Sequence, residues 1–511
     1  MGWLLRTNRR LGADEAWRSG RQFARCFRVD RDRELSASYI TRWERGDLPV
    51  GHSVVRRYES LLGAPRESFV AVCDVVLRFT ATGPGAAVLG RSGSSGPSDG
   101  QLHDLLGRAV QPGTMTSQAW GDLVVGIQSR PHLFLHPPSL WRALAERLLT
   151  ELVAAEDHAW LVRQEALSRL LEHPVACRHV VAACMAIADD PGVPADIEPI
   201  SLLDVTAEPS ANAYVLRQLQ QPHSDRALQG ALLAAVRKVR QGHFRSGEEC
   251  AALIRSVAEI MAEPVIHPAV LPVAVQLSRS LARRAPQAAM LYRSLPATAT
   301  AQRIWSDNRT TEPTARREIC RRLAAAAAAR LIVEPDQHDE ILPELIEEML
   351  FSPNVDERLY STMLIAATPY REPLGAAITA AAPGLLRYHQ APAGAVLRAL
   401  TSLSVASHRQ LVHDLLVDPG VSSQLAHAAA WATPHCAGQQ DEKAWRRMLD
   451  LQLANWRRAP SQIGAGIVHG LTYGIGTDGH EKLLTEIRGA QLVPQPARAA
   501  AAWWLSALRP T

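Results

Sequence analysis

Residues 140–153 read LWRALAERLLTELV. Leu140, Leu144, Leu148 and Leu152 recur every four positions, and Leu149 and Val153 widen the stripe. That is the period of a helix burying one face; a strand would alternate. Leu228, Leu232, Val236 and Val239 repeat the pattern further on. Between such stripes the chain breaks at Pro and Gly clusters, among them DDPGVP (189–194), SPN (352–354) and DPG (418–420). These combinations form turns. No segment carries convincing period-two alternation, so the body is expected to be all-α and built from many short helices.

The piece VRQEALSRLL (162–171) sets Val162, Arg163, Ala166 and Leu170 in the V-R-x-x-A-x-x-x-L arrangement of HEAT-type repeats. DERLYSTMLIAA (356–367) is a looser echo. A small Ala lets helix backbones approach, and the Leu stripe lets helical hairpins stack into a continuous core. The period is ragged, which leaves two architectures open: an α-solenoid-like (HEAT/ARM-like) array and a compact helical domain. Either offers a binding face and implies no chemistry of its own.

A chain of 511 residues, 47% hydrophobic and 21% charged, has the apolar mass for a large globular core. It contains no apolar run of about 18 residues or more, and its start, MGWLLRTNRRLG, lacks the apolar stretch of a signal peptide. No membrane partner is expected, and the expected location is cytoplasmic. Seven cysteines, at 26, 73, 177, 184, 250, 320 and 436, show no paired spacing. They read as reduced thiols and not as a disulfide framework.

The net charge of +4 is unevenly spread. Residues 1–80 hold 15 arginines, no lysine and 10 acidic residues, a balance of +5, and the remainder comes to −1. Such asymmetry suits a polyanionic partner. The stretch GPGAAVLGRSGSSGPSDG (83–100) is too poor in apolar residues to repay its ordering and reads as a flexible linker. Three parts are therefore expected: a basic head (1–82), a linker (83–100) and an all-helical repeat body (101–511). On this division the isolated head is expected to bind a polyanion weakly by itself, with strong salt dependence.

Within the head, SASYITRWERG (36–46) reads as a short amphipathic helix. Ser36 is a good N-cap, Ile40 and Trp43 share an inward face, and Gly46 suits a left-handed C-cap. Ser38, Thr41, Arg42 and Arg45 are left on the outer face. Arginine forks and hydroxyls displayed in this way are what reading a DNA groove requires. GRQFARCFR (20–28), SVVRRYESLLG (53–63), SFVAVCDVVLRF (68–79) and the opening WLLRTNRRL add further short helices, five in about 80 residues.

The run LSASYITRWERGDLP, followed by a helix ending LLGAP, resembles the Xre-type, phage-repressor-like helix-turn-helix family, in the form seen in actinobacterial regulators. Ser36, Ile40, Glu44 and Gly46 match its capping, core, ion-pairing and closing positions. The resemblance covers residues 1–80. It implies a DNA-binding transcriptional regulator in which Ala37, Ser38, Thr41 and Arg42 face bases. Ser36, Arg45 and Arg21 would hold phosphates, and Glu44 would serve structure. RVDRDREL (28–35) is several residues longer than the family's tight turn, which bears on the docking angle and on the role of Arg21. Double-stranded DNA is the expected partner, with a homodimer reading two half-sites and a small molecule or protein as effector on the body.

Other motifs carry less. GIGTDG (474–479) matches G-x-G-x-x-G but follows a helical stretch, so it predicts a turn between helices and not a dinucleotide site. His173, Cys177, His179 and Cys184 match no common zinc spacing. No cofactor, metal or catalytic constellation is expected. Two rivals to the regulator remain: a helical-repeat scaffold whose head binds protein, and an enzyme acting on nucleic acid.

Overall fold

The described residues of the computed structural model form twenty-seven α-helices and four 3-10 helices joined by turns, with no strand among them. Those residues are the whole chain except 28–34, 81–95, 112, 114, 156, 191, 194–196, 264–265, 268, 285, 311, 332–338, 389–392, 404–405, 437 and 508–511. The stripe at 140–153 becomes the helix Ser139–Val153, which buries Leu144, Leu148, Leu149 and Leu152. All four residues of the V-R-x-x-A-x-x-x-L motif are buried in the helix Asp157–Glu172. Its arginine, Arg163, donates to the Met115 carbonyl at 2.7 Å and reaches Glu151 at 3.3 Å, tying this helix to earlier parts of the array.

Helices pack both on their neighbours and on the helix two places along. Ser117–Gln128 lies on Asp157–Glu172, Asp225–Gln241 on Val270–Ala282, and Ser423–Ala432 on Gln462–Thr477. This is the contact pattern of stacked helical hairpins. The array also returns to its beginning. Tyr473 donates to the Val153 carbonyl at 2.7 Å, Arg226 stacks 3.8 Å over the Trp431 ring, and Trp503 lies against Gly192. The body is an α-solenoid-like array closed on itself.

Two expectations change. GIGT of the glycine motif is not a turn; the helix Gln462–Thr477 runs through it. A Cβ on Gly474 would stand 2.4 Å from the Trp445 ring, and one on Gly476 2.4 Å from Trp504. The glycines are there to admit two tryptophans, and the chain turns only at Gly479, with φ of 74°.

The larger change concerns the head. It comprises α1 (Gly2–Leu11), α2 (Gly20–Cys26), α3 (Ala37–Arg45), α4 (His52–Leu62) and α5 (Ser68–Thr80), with an additional 3-10 turn at Glu15–Arg18. It is not a separate unit. Trp3, Phe69, Val72 and Phe79 share one apolar core with Leu161, Val162, Ile346, Ile365 and Tyr370 of the body. Seven successive residues of α5, Phe69 to Val75, are buried, because body helices cover the faces that the head leaves open. Of the expected linker, residues 83–95 lie outside the described residues. Its end is packed: Ser98 and Gln101 form a capping box that starts a helix at Asp99, and Arg130 donates to the Pro97 carbonyl.

Polar contacts fix the register of the docking. Asp74 accepts from His52 Nε2 at 2.7 Å and from Arg169 Nη2 at 2.6 Å. Arg78 forks onto Glu165 at 2.9 and 3.1 Å and reaches Glu172 at 3.0 Å. The Phe79 ring lies 4.7 Å beneath the Arg237 guanidinium, which in turn pairs with Asp356 at 2.7 Å. At the other end of the head, Trp3 donates to Asp339 and Asn8 to the Ala367 carbonyl, both at 2.8 Å. Burying a large apolar side chain contributes about 1.5–3 kcal/mol, and a free head would forfeit this at Trp3 and Phe79. The head therefore does not stand apart from the body but shares a core and ion pairs with it.

Replacing Arg78 with Ala leaves Glu165 buried without its partner, so denaturant titration should show a loss of about 3–5 kcal/mol. Asp74 adds a pH signature. Burial alone would raise its carboxyl, but the His52 hydrogen bond and the Arg169 charge outweigh burial and hold it below the ordinary value. A depressed carboxyl stabilises above its unfolded value and loses that contribution as pH falls through the folded one. Asp74→Asn should therefore be less stable than wild type at pH 7, with the gap narrowing below about pH 4 in urea titrations at successive pH values.

Candidate nucleic-acid interface

The helix α3 is positioned from its inner side. Ile40 and Trp43 are buried in the head core, where the Trp43 ring lies tilted against Phe27, 5.3 Å between centroids. Glu44, on the same side, accepts two bonds from Arg9 of α1, at 2.6 and 2.7 Å, and a third from the Tyr58 hydroxyl at 3.1 Å. Arg9 also donates to the Trp17 and Arg18 carbonyls, which anchors the 3-10 turn. Burial opposes charge on Arg9, yet the Glu44 bond holds it above its ordinary value. Burial and then the Glu44 charge push the Tyr58 phenol up, so it stays a donor. Glu44 is thus an internal tie, held by Arg9 and Tyr58.

The ends of α3 follow local chemistry. Ser36 Oγ accepts from the Ser38 amide at 3.3 Å. Gly46 adopts φ of 84° and ψ of 9°, and its amide closes the last turn. In that left-handed region a side chain is disfavoured, which is why the helix stops at this residue.

The outer face carries Ser36, Ser38, Thr41, Arg42 and Arg45, all exposed, with Ala37 half-buried at the first turn. Thr41 Oγ1 donates to the Ala37 carbonyl at 3.2 Å, leaving its oxygen free to accept. Arg42 and Arg45 have no acidic partner among the described residues. Their forks are available for a partner with paired acceptors, such as a guanine edge or a phosphate. Arg21 stands exposed on the first turn of α2 and is bound to none of the α3 side chains. The long connection RVDRDREL lies, apart from Leu35, outside the described residues. The body packs on α1 and α5 and does not cover this face of α3.

Two residues on this surface escaped the sequence reasoning. Tyr39 is 45% exposed, the one large aromatic presented by α3, with its ring 6.0 Å from Trp43. Its i,i+4 relation to Trp43 marks the border of the inner face, a signal available in the sequence. Arg25, exposed one turn after Arg21 on α2, extends the cationic surface. Other arginines of the head serve inside. Arg56 forks onto Glu67 at 2.6 and 3.1 Å, and Arg57 donates to the Cys26 carbonyl.

The His/Cys cluster is occupied by ordinary packing. His173 Nδ1 accepts from the Ala176 amide, Cys177 Sγ lies 3.1 Å from Thr206 Oγ1, and Cys184 is fully buried. Burial pushes the Cys184 thiol up to about 12.

Inner and outer faces of α3 should respond differently to substitution. Glu44→Ala strands the buried Arg9 and should cost about 3–5 kcal/mol, whereas Thr41→Ala should stay within about 0.5 kcal/mol of wild type. Thermal and denaturant melts of the full chain would read both. No protein-family model matches the chain, and no curated protein matches it.

Proposed function

We propose that the protein is a cytoplasmic, sequence-specific DNA-binding transcriptional regulator of helix-turn-helix type, in which α3 enters the major groove. The observation that carries this reading is the outer face of α3, where Arg42 and Arg45, with no acidic partner among the described residues, stand beside Ser36, Ser38 and Thr41. Arg42 sits mid-helix, where a fork reaches base edges; Arg45 lies beside the Gly46 stop, where a phosphate is nearer. Ala37 approaches bases at the first turn, and Arg21 with Ser36 serves the backbone. One head offers limited contact, so two heads in a homodimer supply specificity over genomic background. The helical body carries dimerisation and effector binding. Exposed Tyr39 gives the rival protein-binding reading its one specific support, since aromatic residues are enriched at protein interfaces.

Titrations against cognate and scrambled duplexes at several salt concentrations test the assignment. Arg42→Ala should cost about 1–3 kcal/mol on the preferred site and relax preference at one base pair. Arg45→Ala should weaken binding to both duplexes alike and reduce the salt slope by about one unit. Equal losses on both duplexes for both variants would reduce α3 to an electrostatic handle.

A further inference from the structure

Two of the contacts that close the array on itself meet at one indole, Trp431 of the helix Ser423–Ala432. Arg226, from the helix Asp225–Gln241, lays its guanidinium 3.8 Å over that ring. Tyr473, whose hydroxyl donates to the Val153 carbonyl, has its own ring 5.9 Å from it. The indole is in turn held by a histidine. Trp431 Nε1 donates to Nε2 of His427, one turn earlier on the same helix, at 3.2 Å. Nε2 is therefore the acceptor nitrogen of a neutral ring, Nδ1 carries the proton, and a second proton can go only to Nε2. That edge is enclosed: a Cβ on Gly466 of the helix Gln462–Thr477 would stand 2.7 Å from Nε2. Protonation would point one N–H at another, and the indole could not keep its place.

The surroundings add positive charge and none that compensates it. Burial and then the Arg226 charge bring His427 down to about 4, with His267, before the helix Val270–Ala282, adding to the effect. His469, on the facing helix, has its ring 5.1 Å from Trp431 and a buried Nε2 with no hydrogen-bond partner. Burial and then Arg226 bring it down to about 3. The 3-10 turn contributes His435, 6.2 Å from the Tyr473 ring. On the helix Ala406–Val417, His408 Nδ1 lies 3.9 Å from Cys436 Sγ, Arg409 donates to the Cys436 carbonyl, and His413 stands 3.9 Å from Asp414. Arg398 of the helix Ala393–Leu403 lies back against its own Gly394, and Asp225 beside Arg226 is exposed. Among the described residues no carboxylate is bonded to Arg226, His427 or His469.

We propose that this cluster is an acid-sensitive latch: a proton on His427 displaces the Trp431 indole, and the helices Ser423–Ala432 and Gln462–Thr477 part from the early helices that they close against. The sign follows from the direction of the shift. A histidine held below its ordinary value favours the closed form fully above about pH 6.5, and that preference is lost as the pH falls toward the value in the closed form. The latch is independent of the DNA reading.

Hydrogen exchange of the full chain, read by mass spectrometry at about pH 7.5 and about pH 5 and corrected for intrinsic exchange, tests it. In wild type, opening of residues 423–432 and 462–477 should rise about tenfold or more at the lower pH, while the helix Pro313–Arg330 keeps its protection. His427→Gln offers the indole a carbonyl acceptor that does not titrate, so most of the rise should disappear. No rise in wild type, an equal rise in every helix, or the same local rise in His427→Gln would each overturn the proposal. The wild-type comparison between helices decides it even if the variant does not fold.

Discussion

The docking of α5 between the helix Asp157–Glu172 and the helix Val355–Ala366 is the constraint on which the rest depends. Its chemistry is a pair of ionic clasps, Asp74 with Arg169 and Arg78 with Glu165 and Glu172, set in an apolar sheath. Each clasp is only satisfied when the head is seated in one register. A buried charge left without its partner is worse than no charge at all, so these pairs select that register more than they add net stability. The outward pose of α3 relative to the body is thereby set by contacts made two helices away.

This arrangement sorts the arginines of the head into two populations. Arg9, Arg56 and Arg78 are held by carboxylates, and their charge is cancelled where it stands. Arg21, Arg25, Arg42 and Arg45 are exposed on α2 and α3 and have no such partner among the described residues. Pairs also form at the surface, as Arg18 does with Glu15, but Arg21, Arg25, Arg42 and Arg45 carry their charge outward on α2 and α3. Long-range attraction of a polyanion depends on the second population.

Local rules made much of this legible in the sequence. Ser36, Ile40, Trp43 and Gly46 declare a capped amphipathic helix through spacing and residue type alone, and the leucine stripe at 140–153 declares its helix in the same way. What stayed hidden depends on partners far along the chain. Asp74 and Arg78 look like solvated charges until Glu165 and Arg169, some ninety residues later, are brought beside them. One clue was present: SFVAVCDVVLRF is apolar on nearly every face, and a helix of that kind is buried all round. The glycines of GIGTDG were equally ambiguous, since only the positions of Trp445 and Trp504 explain why a helix needs them.

Selection of bound fragments from sheared DNA of the source genome, using the purified full chain, tests the central claim most directly. The account predicts recovery of a small set of fragments sharing one short motif, arranged as two half-sites about one helical turn apart or a multiple of it. Fragments recovered in proportion to their abundance, or no retained DNA at low salt, would contradict it.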